Sequence, residues 1–361
     1  MSSQFGSNFK ISIFGQSHSF AIGLVVDGLP AGYSIDLDEL RAFMQRRSPG
    51  QSELTTARTE ADEPEVLSGL VDGVTCGAPL AIMIRNTDAR SDEYREIRDI
   101  PRPSHADYTA HIKYGGHQDV SGGGHFSGRL TAPLCAAGGI CLQLLAQRDV
   151  HICAHILQIG DIRDDTFDAV NVSLNDFGKI RKNSIPVLDE AAGNWMKGKI
   201  AQAQEVGDSL GGIIECAAIG LPVGWGDPMF DGIENRIAAI VFGIPAVKGI
   251  EFGSGFASAQ LKGSENNDRF YMDGSTVKTK SNHSGGILGG ITNGMPVIFK
   301  AAFKPTPTIG MEQESISLSK MEDTILQVRG RHDPCIVLRA VPCIEAAAAV
   351  ALYDASLSVQ R

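Results

Sequence analysis

The sequence predicts an α+β protein with antiparallel sheets, built as two pseudo-symmetric halves in one body, and three observations lead there. A segment recurs: Gly15 and Ser17, then Gly28-Leu29-Pro30-Ala31-Gly32-Tyr33, reappear as Gly207 and Ser209, then Gly220-Leu221-Pro222-Val223-Gly224-Trp225, at the same internal spacing. Apolar runs and helical patterns alternate irregularly, unlike the strand-helix alternation of a doubly wound parallel sheet. The GxGxxG and Walker A lysine loops are absent, which removes the dehydrogenase and P-loop readings.

Taken in order, residues 22–26 read as a strand, followed by a turn and a helix opened by Asp36 with Glu39, the Asp-x-x-Glu form of a capping box. That helix places Leu37, Leu40, Phe43 and Met44 on one face and stops at Ser48-Pro49-Gly50, with Arg46 and Arg47 at its end. A loop from Arg102 to Tyr108 leads toward a further strand. Residues 130–147 form the longest uncharged run, but Pro133, Gly138, Gly139 and two glutamines favour a buried helix over a membrane span. His151 and His155 fall on a strand edge.

The second copy repeats the strand at 213–219 and a helix bearing Ile233, Ile237, Ile240 and Val241, capped by Asp231 with Glu234. Residues 287–292 and 297–303 read as a hairpin around Asn293-Gly294, with Pro296 weakening it. The alanine-rich stretch 343–357 reads as a helix. No linker divides the chain, so a single domain spanning 1–361 is expected, its halves roughly 1–190 and 200–361.

Composition narrows the function. A chain with 43% hydrophobic residues folds around a core, and 32 Lys+Arg against 42 Asp+Glu give a net charge of −10. That balance disfavours a broad basic surface for nucleic acid or an anionic membrane, so any anion site is local. The N-terminus lacks the basic and apolar regions of a signal peptide. The seven cysteines are odd in number and form no CxxC pair, which reads as buried thiols in a reducing compartment, cytoplasmic in expectation. With no HExxH or EF-hand loop either, no metal is expected.

Four loops carry chemistry. Gly15-Gln16-Ser17-His18-Ser19 places a histidine among small residues after an apolar strand, where it can protonate an anion. A lone turn histidine is more often a surface residue, but Leu210 stands at the matching position of the second copy, so the fold does not demand histidine. In Arg102-Pro103-Ser104-His105-Ala106-Asp107, the carboxylate can orient His105 or point elsewhere. Ser121-Gly122-Gly123-Gly124-His125-Phe126-Ser127-Gly128-Arg129-Leu130-Thr131 reads as an anion cradle at a helix N-terminus, with Ser127 and Arg129 as donors. Arg331-His332-Asp333, followed by Arg339, pairs cations with a carboxylate. Lys304-Pro305-Thr306-Pro307-Thr308 adds a cation and two hydroxyls on a stiff segment.

These loops, together with Lys113-Tyr114-Gly115, Ala246-Val247-Lys248-Gly249, Ser281-Asn282-His283 and residues 285–290, make the chain resemble chorismate synthase over nearly its whole length. The resemblance implies helices sandwiched between antiparallel sheets, a homotetramer, and an anti-1,4-elimination of phosphate from 5-enolpyruvylshikimate 3-phosphate that requires reduced FMN without net oxidation. It implies His18 as the proton donor to phosphate, His105 in service of the flavin, and Asp333 in proton removal. Flavin contacts are implied at His125, Phe126, Ser127, Pro245, Ala246, Gly289, Lys304, Pro305, Thr306, Pro307, Thr308 and Arg331. Arg46, Arg47 and Arg129 are implied as substrate or NADP clamps, with NADPH a candidate indirect reductant. Gln16, Ser19, Ser48, Glu53, Ser104, His125 and Phe126 depart from the residues common in that family.

Overall fold

The computed structural model describes residues 3–50, 60–87, 98–328 and 333–358. The first sheet contains β1 (Gln4–Phe5), β2 (Lys10–Gly15), β3 (Ala21–Asp27), β4 (Glu65–Ser68) and β5 (Leu80–Arg85), in the order β1-β2-β3-β5-β4. The second contains β6 (His151–Ile159), β7 (Ile162–Arg163), β8 (Gly212–Ile219), β9 (Val247–Phe252) and β10 (Val297–Phe303), in the order β9-β10-β8-β6-β7. Every neighbouring pair is antiparallel.

The helices are α1 (Leu37–Gln45), α2 (Asp107–Tyr114), α3 (Thr131–Ala146), α4 (Leu174–Lys182), α5 (Glu190–Glu205), α6 (Ile233–Val241) and α7 (Val337–Ser358), besides one single-turn segment at Gly263–Asn266. α3 packs against both sheets and α7 against the second, with α1 on α3 and α6 on α7, so a helical layer lies between the sheets as predicted. Gly128–Ala146, which is α3 with the turn before it, and α7 are long and apolar enough to span a membrane, yet each is buried almost throughout in the protein core.

Corresponding residues of the recurring segments make corresponding bonds. Gly28 (φ 84°) and Gly220 (φ 80°) each press on backbone: a Cβ would stand 1.8 Å from the Asn8 carbonyl oxygen in one and 2.0 Å from that of Asp149 in the other. Thr75 accepts from the Tyr33 amide at 2.9 Å and donates to the Pro30 carbonyl at 2.7 Å. Thr292 does the same for Trp225 (2.9 Å) and Pro222 (2.7 Å). A pleated strand, a left-handed glycine and a hydroxyl clip form the common unit.

Several local expectations are corrected. Asp36 caps α1 through the amides of Asp38 and Glu39, but α6 starts from Gly232, because the Asp231 carboxylate is taken by Arg236 at 2.5 Å. The stretch after Arg102 enters α2 rather than a strand, and Gly115 at φ 59° ends that helix. Residues 287–292 close a small hairpin of their own, Ile287–Leu288 with Ile291–Thr292, because Gly289 and Gly290 both adopt positive φ. β10 pairs instead with β8 and β9.

His155 is not at an edge. β6 lies inside the sheet, and its outer face is covered by the segment around Phe167 and α4, with Cys153, Phe167, Phe177 and Ile180 forming a second small core. There His155 is fully buried, Nδ1 3.1 Å from Asp164 Oδ2 and Nε2 3.0 Å from Glu215 Oε2. Burial pushes the imidazole pKa down, but the two carboxylates outweigh it and the net shift is upward. Stability from this group is therefore full below the unfolded value of about 6.5 and is lost as pH rises through the higher folded value. We expect the melting temperature to decline on the alkaline side of neutrality and His155→Gln to flatten that decline. His155→Ala, which strands two buried carboxylates, should cost about 3–5 kcal/mol in denaturant melts.

Candidate active site

α3 and α7 run side by side in the same direction: Cys135 meets Cys343, and one turn on Gly138 packs against Ala346. Their N-terminal turns open on one cavity of about 610 Å³, lined by Thr131 from α3 and by Ile336 and Arg339 from the start of α7. The positive ends of two helix dipoles thus face the same space. Around it stand Arg47, Arg102, Arg129, Lys248, Lys304 and Arg339, against Asp333 as the one carboxylate in the described lining. In a chain of net charge −10 this is the local anion site the composition required.

The glycine loop packs on both histidines. Gly122 (φ 59°), Gly123 (φ 85°) and Gly124 (φ 55°) all adopt left-handed backbone. A Cβ on Gly122 would stand 2.2 Å from His18 Cε1, and one on Gly123 would stand 3.2 Å from His105 Nε2. The loop was expected to cradle an anion with free amides; here the Gly123 amide already donates to the Val120 carbonyl at 3.1 Å. Its glycines serve close packing on the imidazoles.

His105 Nδ1 lies 2.6 Å from Asp107 Oδ1, and Arg102 brackets the same carboxylate from Nε (2.8 Å) and Nη2 (2.9 Å). Burial, with Arg102 and Lys304 nearby, outweighs Asp107 and holds the His105 pKa below its usual value. The ring is then neutral near pH 7, and with Nδ1–H given to Asp107 its Nε2 is left as an acceptor on the Gly123 side.

Arg47 and Arg129 meet on Asp62, which sequence reasoning missed. Arg47 donates to Asp62 Oδ2 (2.6 Å), to Thr131 Oγ1 (3.0 Å) and to the Gly128 carbonyl (3.0 Å). Arg129 donates to Asp62 Oδ1 and to Asn86 Oδ1. Burial raises the Asp62 carboxyl, but Arg47 and Arg129 overcome it and bring it down to about 2. Ser48, in a position where arginine is common in the family it resembles, places Oγ 3.0 Å from the same carboxylate. Nothing around Asp62 in the sequence, an acidic run ending in proline, marks it as the buried anchor of two arginines behind the cavity wall.

Not all expected residues converge. His18, His105, His125, Phe126, Ser127, Pro245, Ala246, Lys304, Thr306, Pro307, Thr308 and Asp333 line the cavity with Arg47 and Arg129. Arg46 does not: its guanidinium pairs with buried Glu345 at 2.6 Å. Gly289 is exposed in its hairpin, and Pro305 packs beside Gly211. Glu53, Arg331 and His332 fall outside the described residues. His125 is a strut, with Nδ1 2.7 Å from the Gly15 carbonyl oxygen and Nε2 2.8 Å from Ser3 Oγ. Lys304 reaches the Ser104 carbonyl at 2.5 Å; Ser104 sits at φ 58°, where glycine is the unstrained residue. Asp333 accepts from Arg339 Nη1 at 2.6 Å.

Two parallel helix N-termini, a cation-lined cavity and a paired set of histidines define an enzyme acting on a multiply charged anionic small molecule. Comparison with known proteins makes this specific. The family model for chorismate synthase matches residues 9–357. The chorismate synthase of Lancefieldella parvula is 47% identical, covering 98% of this chain and 96% of its own. That of Synechocystis is 45% identical, covering 100% and 98%. A crystal structure of chorismate synthase superposes with a TM-score of 0.78 at 27% identity, covering 98% of this chain and 93% of the other. The chain belongs to the chorismate synthase family, and is an enzyme of the lyase class.

Proposed function

We propose that this cavity eliminates phosphate from 5-enolpyruvylshikimate 3-phosphate in the anti-1,4 sense to give chorismate. The observation that carries the reading is the placement of His18 and His105 against adjacent glycines of one loop, within a cavity lined by six cations. The substrate bears two carboxylates and a phosphate, which demand such a ring. The hydrogen lost is on an allylic carbon that no carbonyl acidifies, so a carboxylate alone faces a high barrier.

Reduced FMN, when bound, would supply the transient electron density that departure of phosphate calls for, without net oxidation. The residues fit such a planar, anionic-tailed group: Phe126, Ile244, Pro245, Ala246 and Ile336 offer apolar surface, while Lys304, Thr306 and Thr308 offer donors. His18 is assigned the proton delivered to the departing phosphate. His105 would hold or accept a proton at Nε2, and binding of an anionic group near it would raise its affinity for that proton. Asp333, gripped by Arg339, assists proton removal. Thr131 and Arg129 orient the anion with the dipole of α3.

Anaerobic incubation with chemically reduced FMN and the substrate tests this; failure to form chorismate at any pH between about 6 and 9, around the histidine range, sinks it. His18→Ala should lower kcat by about 10²–10⁴ with little change in melting temperature, since Leu210 occupies the matching place in the other half. Parallel losses of activity and melting temperature would instead mark His18 as structural. Activity with NADPH and no added reductase asks whether the protein reduces its own flavin. We further infer a cytoplasmic homotetramer of single-domain subunits, each with two pseudo-symmetric halves. Exposed Phe230, Phe256 and Phe270 support self-association, and light scattering reads it.

A further inference from the structure

Six of the seven cysteines are buried, and the proposed reaction uses none of them. Four behave as inert core thiols: burial pushes Cys141, Cys153, Cys216 and Cys335 upward, Cys335 to about 12. Cys343 differs in place and surroundings. It lines the cavity, one turn into α7 from Arg339, and its Sγ stands 3.8 Å from that of Cys135 on α3. Cys135 donates its S–H to Cys343, and Arg47 and Arg339 add positive charge, so the Cys343 thiol is drawn down despite burial while Cys135 is driven up. Cys343 in turn donates its own S–H to the Arg339 carbonyl at 3.4 Å, and of the two thiols it is the one that reaches the cavity, which makes it the one open to an entering oxidant.

The helix backbones permit a bond between them. One turn further on, a Cβ on Gly138 would lie 2.3 Å from the Cα of Ala346, so α3 and α7 touch main chain to main chain. Cys135 and Cys343 lie one turn before that contact on the same two helices, with their sulfurs already adjacent at 3.8 Å.

We propose that Cys343, in the lining of the active-site cavity, and Cys135, buried behind it, form a peroxide-reactive dithiol, with Cys343 as the attacking thiol and Cys135 as the resolving one. Cys343 thiolate attacks hydrogen peroxide, forming an S–O bond and breaking O–O to release hydroxide; the sulfur is oxidised to sulfenic acid and the peroxide is reduced. Cys135 then attacks that sulfur, forming the disulfide, and its proton leaves with the departing oxygen as water. The sum is two thiols and one hydrogen peroxide giving one disulfide and two waters. Closing the sulfurs from 3.8 Å to the roughly 2.05 Å of a disulfide takes the Cys343 S–H away from the carbonyl of cavity-lining Arg339, so the oxidised enzyme is expected to lose activity. This inference does not depend on the reaction assigned above, because its primary readout is the bond itself.

The test treats the intact protein with graded hydrogen peroxide, blocks remaining thiols, and maps cysteine peptides by mass spectrometry. A peptide linking Cys135 to Cys343, dissolved by dithiothreitol together with recovery of any lost turnover, is expected before Cys141, Cys153, Cys216 or Cys335 react. Cys135→Ala should keep its activity before treatment, yield no link, and leave Cys343 open to dimedone. The proposal is overturned if both thiols remain free at a peroxide level that oxidises exposed Cys76, or if Cys343 oxidises without ever linking to Cys135. Because the wild-type peptide map decides on its own, a poorly folding variant does not protect the idea.

Discussion

Replacing Gly122 with alanine is expected to cost far more in turnover than in folding. The new Cβ would fall 2.2 Å from His18 Cε1, 2.3 Å from its Nδ1 and 2.7 Å from Ser17 Oγ, and no real Cβ tolerates such approaches. Gly122 also sits at φ 59°, where an L-residue pays about 1–2 kcal/mol. The side chain that must yield is the imidazole itself, so the strain is relieved by moving the proposed proton donor. Overpacking of this kind destabilises by about 1–3 kcal/mol, whereas misplacing a reacting group by an ångström lowers rates by about 10²-fold. Gly128→Ala is the control in the same loop, since no heavy atom lies within 4 Å of its would-be Cβ. Steady-state kinetics and thermal melts of the two variants decide the matter. A Gly122→Ala enzyme with wild-type kcat would show that the position of His18 has no bearing on the chemistry.

That same loop shows which parts of the molecule were legible. Three consecutive glycines announce a backbone that other residues cannot adopt, and the repeated Gly-Leu-Pro-x-Gly-aromatic segment announces two strand-to-helix units. Both signals are local, and both survive. The identity of the neighbours is not local: that Gly122 packs on His18 and Gly123 on His105 follows only from tertiary closure. The misread hairpin has the same origin. Asn293-Gly294 carries good turn chemistry, and Asn293 does accept from the Met295 amide at 2.9 Å. Its flanking strands, however, find better partners elsewhere, β10 between β8 and β9. Arg46 and Arg47 are adjacent cations at one helix end, indistinguishable by pattern. One pairs with Glu345 of α7 and the other faces the cavity, a choice made by the distant carboxylate.

Asp62 is the clearest case of a residue visible only after folding, and its removal is expected to have the largest effect on stability. Arg47 and Arg129 are each at least 95% withdrawn from water, at 3% and 4% exposure, and Asp62 bridges them, with buried Glu60 a second, longer partner of Arg129 at 3.8 Å. Asp62→Ala removes the carboxylate that bridges two buried guanidiniums and leaves Glu60, 3.8 Å from Arg129, as a remaining counter-charge, a change that should cost about 3–5 kcal/mol. Asp62→Asn keeps the shape and some of the hydrogen bonds, so it should fold, with a raised KM for the anionic substrate as both arginines lose their fixed orientation. The two states of the carboxylate also set an acid signature. Its pKa falls from 3.8 to about 2 on folding, so its stabilisation is complete above the unfolded value and disappears as pH drops through the folded one. The shift corresponds to about 2 kcal/mol. In acid titrations followed by circular dichroism, the wild-type protein should therefore lose stability steeply between about pH 4 and pH 2, and Asp62→Asn should lose it less steeply from a lower starting point. Identical slopes would mean that Arg47 and Arg129 are held by the rest of the helix junction, through Thr131, the Gly128 carbonyl and Asn86, and that Asp62 is a passenger.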